Sequence, residues 1–317
     1  MWGEYMGKIT KLKTKSHEEW KELRSHYIGG SDAAAVVGLN PFASAYSLWA
    51  EKTGRVPGFD GNLATEVGTF LEDFVAKKFE AETGKKVRRV NQSFFNSDYP
   101  WAIANIDREI VGEDAGLEIK TTSALNLKRF KGGEFPANYY YCQCVHYMAV
   151  TGKKRWYLAV LIGNNEFKWF TIERDEEEIA ALMAAEEGFW QLVQEDTPPT
   201  ADGTDATTEA IQTIYAGSND ECADLFGCDA DLAAYLALGR RIKELQEEQK
   251  GVANRIKAMM GEAGLGECQG YRVSWAASSR STFDAKRFAE ENPDIDLSGY
   301  YNTTNTRTFR VTEQKGA

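Results

Sequence analysis

The 317-residue chain is expected to adopt an α/β fold with a separate C-terminal extension, and three features of its sequence point there. Helical and strand-like hydrophobic patterns alternate over residues 16–195. Hydrophobic residues make up 43% of the chain and aromatic residues 12%, enough to bury a full core and far above what a disordered chain carries. Beyond residue 197 the composition changes sharply, first to an acidic, Thr-, Ala- and Gly-rich stretch and then to one long helical pattern.

The elements follow in order. Residues 16–38 open with a helical stretch, and Ile28-Gly29-Gly30-Ser31-Asp32 leads into a short alanine-rich helix that Gly30 or Ser31 can cap. A second helix is predicted from about Leu63 to Glu82, with Leu71, Phe74, Val75 and Phe79 as its buried stripe and Gly84 as its stop. Three strands are predicted next, over Lys86–Phe95, Trp101–Val111 and Gly116–Thr121. Pro136 starts an aromatic-rich helix over Ala137–Val150, and Thr151-Gly152 ends it. Arg155–Ile162 and Phe167–Glu173 form a hairpin around Gly163-Asn164-Asn165. Asp175–Gln194 is an amphipathic helix whose acidic first turn suits the helix dipole. The first domain is thus expected to span 1–197, followed by an acidic linker over 198–228. Residues 229–262 form a long helix with Leu232, Leu236, Ile242, Leu245, Val252, Ile256 and Met259 apolar. That spacing is loosely heptad-like, so 229–317 is an interaction or oligomerisation extension, with Tyr271–Trp275 and Thr306–Val311 as strands of a small cap.

Composition also narrows the function. No apolar stretch reaches the ~18 residues that a membrane span needs, and the first eight residues hold no apolar run for a signal peptide, so a soluble cytoplasmic protein is expected. The five cysteines are odd in number and form no C-x-x-C pair, and only three histidines exist. Zinc-ribbon, iron–sulfur and His-dependent nucleophilic chemistry therefore lack their ligands. Metal chemistry has to use carboxylates and hence a hard cation such as Mg²⁺ or Mn²⁺. The formal charge of −11 speaks against nucleic acid at first sight. Yet residues 198–228 hold six acids and no base, more than half of the excess, so basic patches elsewhere are compatible with it.

Polar residues capable of chemistry concentrate between Glu72 and Gln143. Asp107 falls in the middle of one predicted strand, and Glu118-Ile119-Lys120 lies on the next. Strand alternation sends Glu118 and Lys120 to one face and Ile119 to the other, and a hairpin can bring Asp107 alongside. Two carboxylates and a lysine on one face suit a divalent cation that activates water, although surface hairpins often produce the same pattern. Glu72 flanks the buried stripe of its helix and is either an exposed glutamate or a further ligand. Gln143 sits in the apolar run Tyr139-Tyr140-Tyr141-Cys142-Gln143-Cys144-Val145, where an amide needs a buried partner. Cys142, Cys144, His26 and His146 are expected to be structural. Arg24 and Ser31 bracket the Gly29-Gly30 turn, either as a phosphate cradle or as an ordinary cap beside a surface arginine. Lys128, Arg129 and Lys131 are candidate phosphate contacts just after the lysine motif.

The ordered set Trp20-x(3)-Arg24, Ile28-Gly29-Gly30-Ser31, Gly68-x(3)-Glu72, Asn105-Ile106-Asp107-Arg108, Gly116-Leu117-Glu118-Ile119-Lys120, Gln143 and Ile172-Glu173-Arg174-Asp175 resembles the YqaJ-like viral recombinases. These belong with phage lambda exonuclease in the PD-(D/E)XK nuclease superfamily, and the resemblance covers roughly residues 16–195. It implies a restriction-endonuclease-like core, a central mixed sheet flanked by helices. It also implies Mg²⁺-dependent 5′→3′ digestion of one strand of duplex DNA, with one or two ions per site.

Carried over residue by residue, the resemblance makes Asp107 and Glu118 metal ligands, joined by the Ile119 carbonyl, with Glu72 holding a second ion. Lys120 would position and help deprotonate the attacking water. Gln143 would orient the lysine or the substrate, and Arg24 and Ser31 would grip the 5′-phosphate. Double-stranded DNA ends, a single-strand annealing protein and a homo-oligomer, ring-shaped in processive members, are the implied partners, in a phage or prophage setting. The sequence departs from the family pattern at Ile106, where the superfamily has proline, and at Val145, where a second glutamine is common. Residues beyond 197 have no counterpart in the short phage exonucleases. Two rival functions stay open on the same residues: a structure- or sequence-specific endonuclease, and a non-catalytic DNA-end-binding scaffold.

Overall fold

A bend at Ile106 and Asp107, where the chain leaves one sheet and enters another, organises the first part of this computed structural model, which describes residues 7–125, 138–296, 298–301 and 307–313. The chain divides into two compact units, Met1–Tyr215 and Ala216–Ala317. The first begins with β1 (Ile9–Leu12), α1 (His17–Ser25), β2 (Ile28–Gly29), α2 (Gly30–Val36), α3 (Ala45–Lys52) and α4 (Leu63–Thr83). The strands β3 (Val87–Arg89), β4 (Ser93–Asn96), β5 (Ala102–Asn105), β6 (Arg108–Ile110) and β7 (Ala115–Thr122) come next. It closes with α5 (Asn138–Thr151), β8 (Arg155–Ile162), β9 (Glu166–Glu173), α6 (Glu176–Gln194) and α7 (Asp205–Ile214).

The α/β class and the mixed sheet flanked by helices are as the sequence predicts. Five strands form a sheet in the order β3-β6-β7-β8-β9, antiparallel except for the β7–β8 pair. A four-stranded sheet runs β1-β4-β5-β2, with β2 parallel to β5. Alternation along β7 and β8 makes both faces of the larger sheet apolar. Leu117, Ile119, Tyr157 and Ala159 pack with Val75, Ala76 and Phe79 of α4. Trp156 turns to the other face and joins Met148 and Tyr147 of α5 in the main core. Every residue of α5 from Cys142 to Thr151 is buried, the pattern of a helix enclosed on all sides.

Several boundaries differ from the sequence expectation, each for a physical reason. The predicted strand Trp101–Val111 is two strands: β5 pairs with β4 and β2, and β6 pairs with β3 and β7. Asp107 therefore lies in the bend between them, not in mid-strand. The predicted strand Lys86–Phe95 likewise splits into β3 and β4, one in each sheet. Phe74, expected in the buried stripe of α4, is 55% exposed, because the helix buries the Val75–Phe79 side. The cap of α2 is Gly29 rather than Gly30 or Ser31. Gly84 does end α4, in the left-handed region at φ 72°.

The acidic stretch 198–228 is not a linker throughout. Its residues 205–214 form α7, whose Thr207 and Ala210 are buried against the core and whose Thr207 hydroxyl donates to Ser44 at 2.7 Å. The unit boundary thus falls after Tyr215 instead of at 197. The second unit comprises α8 (Asp229–Met260), the antiparallel hairpin β10 (Leu265–Cys268) and β11 (Tyr271–Ser274), and α9 (Ala285–Glu291). Residues 307–311, part of the predicted strand Thr306–Val311, form no strand. Among the described residues, no helix is long and apolar enough to cross a membrane.

Candidate active site

The site is built on β7, whose alternation sends Ile119 into the α4 side of the sheet and Glu118 and Lys120 to the α5 side. Glu118 is 2% exposed, and its Oε1 receives the Lys120 Nζ at 2.7 Å. Asp107 enters from the bend between β5 and β6, and its Oδ2 accepts the Ile119 backbone N–H at 2.8 Å. That bond needs the bend. A residue in continuous strand would have its own backbone in the ladder and its side chain perpendicular to the sheet. The three groups singled out in the sequence therefore do converge, though by a different local geometry from the one expected for Asp107.

The electrostatics are those of two carboxylates crowded by one cation. Burial pushes the Asp107 carboxyl well above the ordinary carboxylate range, and Glu118 and Glu72 push it further, against the pull of Lys120. Burial works against the Lys120 ammonium, but Glu118 and Asp107 outweigh it and hold the amine above its ordinary value. Lys120 also lies over the Tyr140 ring, 5.3 Å from its centroid.

Gln143 reaches the same point from α5. Its Nε2 donates to Glu118 Oε1 and to the Tyr147 hydroxyl, each at 2.8 Å, so the amide orients the glutamate rather than the lysine. Cys144 is buried beside them, and burial raises its thiol well above the ordinary value, as for an inert core cysteine. Cys142 is buried and free too. His146 is fully buried, its Nε2 donating to the Ile103 carbonyl at 3.0 Å and its Nδ1 2.8 Å from Glu186, a structural histidine as expected.

Glu118 Oε2 is buried and has no hydrogen-bond partner. An orphaned carboxylate oxygen is costly unless something else satisfies it, and a divalent cation is the group that two carboxylates and a backbone carbonyl suit. Asp107, Glu118 and the Ile119 carbonyl fit such an ion. Glu72 lines the same cavity as Asp107, about 610 Å³ in volume and also bordered by Trp20, Arg89 and Asn105. Its carboxylate is taken by Arg108, and by Arg89 at 3.4 Å. Among the described residues, no three His, Cys, Asp or Glu side chains gather to hold an ion, so Glu72 stands near the pair without completing a cluster with it.

Arg24 and Ser31 come together as the sequence suggests, the guanidinium donating to the Ser31 hydroxyl. Asp32 holds the arginine at 3.4 Å and is itself held by Lys52 at 3.0 Å and by the Gly29 N–H at 3.0 Å. Although burial opposes its ionisation, these partners keep the Asp32 carboxyl well below the ordinary range. Trp20 lies against Arg24 and donates its Nε1–H to Asn105, two residues from Asp107. Lys128, Arg129 and Lys131 lie outside the described residues. The basic residues that follow α4 are matched with acids: Lys85 with Glu113, Lys86 with Glu80, Arg88 with Glu109, and Arg89 with Asp73.

The family model described as the YqaJ-like viral recombinase domain matches residues 19–154, which contain every candidate residue named above. The uncharacterized protein YqaJ of Bacillus subtilis (strain 168) is 39% identical over 293 residues, covering 90% of this chain and 92% of that protein. The chain belongs to the YqaJ family. Two solved structures are also similar to it. The alkaline exonuclease LHK-Exo from Laribacter hongkongensis has 23% identity and a TM-score of 0.47, covering 56% of this chain and 93% of that one. A phage-related exonuclease from Haemophilus somnus 129PT has 13% identity and a TM-score of 0.40, covering 56% and 100%.

In this YqaJ-family chain, sequence reasoning missed three residues that shape the site. Tyr147 ties Gln143 to the Gly30 backbone, since a Cβ at Gly30 would stand 2.5 Å from its ring. Its spacing of four residues from Gln143 on a helix was the available signal. Asp32, at the third position of its helix, carries the capping-box signature. Arg108 appears in the motif next to Asp107, but its grip on Glu72 depends on how α4 packs.

Proposed function

We propose that the chain is a Mg²⁺-dependent exonuclease that digests one strand of linear double-stranded DNA in the 5′→3′ direction. The 3′ single-stranded product would pass to a strand-annealing protein in phage-type recombination. The observation that carries the proposal is that Asp107, Glu118 and Lys120 come together on β7 and the bend beside it while Glu118 keeps one buried carboxylate oxygen, Oε2, without a protein partner. Membership of a family whose domain is described as a viral recombinase supports it.

A divalent ion held by Asp107, Glu118 and the Ile119 carbonyl would acidify a bound water and neutralise charge building on the phosphate. The chain's own groups do the rest. Lys120, kept cationic by its two acidic neighbours, holds a water or a phosphoryl oxygen beside them. Gln143 fixes the Glu118 carboxylate, and Tyr147 fixes Gln143. Arg24 and Ser31 present a guanidinium and a hydroxyl to a terminal phosphate, with Asp32 and Lys52 setting the arginine's position.

A strand-labelled linear duplex, with a 5′-phosphate or a 5′-hydroxyl, and a closed circle test this together in Mg²⁺ with and without a chelator. The expected result is mononucleotide release from the 5′-phosphorylated strand alone, abolished by chelation, with the circle intact. Cleavage of the circle would make the protein an endonuclease. Bound but unchanged ends would make it a scaffold.

A further inference from the structure

We propose that α8 is the seam of a parallel, in-register two-stranded coiled coil, and that its occupant is the same helix of a second copy of this chain. The helix runs 32 residues, on the order of 48 Å, yet none of its residues is buried. Two interior glycines, Gly239 and Gly251, weaken it further. A helix of this kind draws its stability from an apolar face packed on a partner.

The apolar face has the required period. Starting at Tyr235, positions spaced alternately by three and four residues form a four-heptad repeat, with Ile242, Gln249 and Ile256 continuing the a series and Leu238, Leu245, Val252 and Met259 the d series. This is stricter than the loose pattern anticipated from Leu232 and Leu236, which lie off the seam and are partly covered. The seam is open beyond Tyr235, whose ring meets that of Phe309 at 5.3 Å between centroids: Leu238 is 63% exposed, Ile242 54% and Met259 88%. A 3.5-residue repeat stays on one line only if the helix supercoils around another helix, so the period itself specifies a helical partner. Seven apolar side chains per helix, at roughly 70 Å² each, give on the order of 1,000 Å² over two copies, the lower bound of a stable interface.

Gln249 selects the occupant and the direction. In a parallel pair in register, a positions face a positions, so Gln249 meets its own copy and the two amides bond across the seam. In an antiparallel pair centred on the seam from Tyr235 to Met259, Gln249 faces Leu245 and its amide is buried unpaired. The flanking charges agree with the parallel register. Arg241, Glu248 and Arg255 at the g positions face Gln246, Ala253 and Met260 at the e positions of the partner, so no like charges oppose each other.

The test uses the full-length chain and reads mass, independently of any nuclease activity. Sedimentation at about 10 μM should give a multiple of 35.4 kDa. The double variant Ile242→Lys/Leu245→Lys, whose sites are exposed within the single chain, should halve that mass and lose no more helical circular dichroism than the 32 residues of α8 account for. Gln249→Cys, oxidised beside the unmodified chain as a blank for Cys222 and Cys268, should yield at least tenfold more covalent dimer than Glu247→Cys on the outer face. A single-chain mass for the unmodified protein would overturn the proposal, as would a mass unchanged by the double variant. Equal cross-linking at 249 and 247 would overturn the parallel register.

Discussion

Replacing Gly30 by alanine tests whether the Arg24–Ser31 end of the site and the carboxylate end are mechanically joined. The new Cβ would stand 2.5 Å from Cε1 of Tyr147, 2.9 Å from Cζ and 3.0 Å from Cδ1. Ordinary carbon contacts lie at about 3.5–4 Å, so the ring has to retreat by about 1 Å. It has little room: Tyr147 is 5% exposed, and Trp156 lies against it with ring centroids 5.2 Å apart. Trp156 is in turn seated over Gly116, where an added Cβ would meet its ring at 2.3 Å. Overpacking of this kind costs about 1–3 kcal/mol. A retreat of about 1 Å also carries the Tyr147 hydroxyl out of hydrogen-bond range of Gln143, at a further cost of about 1 kcal/mol. Urea unfolding should therefore show Gly30→Ala destabilised by about 2–4 kcal/mol. With Tyr147→Leu already in place, the same substitution should cost less than about 0.5 kcal/mol, because the clashing ring is gone. Equal costs in the two backgrounds, or a single variant as stable as the parent, would refute the linkage.

Lys120→Ala should lower strand digestion by at least about 100-fold while duplex binding, measured by fluorescence anisotropy, stays within about twofold. Gln143→Leu keeps the volume of the amide but removes the donor from Glu118 Oε1, so it should destabilise by about 1–3 kcal/mol in urea and slow digestion with little change in KM. Burial disfavours charge on His146, but Glu186 outweighs it and holds the imidazole above its ordinary value. Its contribution to stability is thus fully present below about pH 6.5 and is lost as pH rises through the higher folded value. Glu186→Gln should flatten that decline in a series of melting curves and cost about 3 kcal/mol near pH 6. A fragment ending at Tyr215 should unfold like the first unit of the intact chain. One ending at Asp196 should lose about 3 kcal/mol in urea, because it lacks α7 and the Thr207–Ser44 bond.

Much of the architecture was legible before any coordinates. The ranges of β8, β9, α4 and α6 match the patterns closely, because each is long, periodic and bounded by an unambiguous signal such as Gly84 or the Asp175 cap. The short elements were not legible. β2 has two residues and β1 four, too few to show a period, and both are defined by their pairing with distant strands. α7 was hidden by its composition. An acidic, threonine-rich segment resembles a linker until Thr207 and Ala210 are seen against the core.

Residue type, order and alternation were enough to place Glu118 and Lys120 on one face and to mark Asp107 as their partner, because side-chain direction in a strand is a local property. They were not enough to put a bend at Asp107, to give Arg108 the Glu72 carboxylate, or to lean Tyr147 on Gly30. Each of those depends on which surfaces meet when the two sheets and the helices of the first unit close on one another, and distances across such a contact are written in no single stretch of chain. The heptad seam of α8 lies between the two cases. Its period is in the sequence, but the fold had to leave that face open before the period implied a partner.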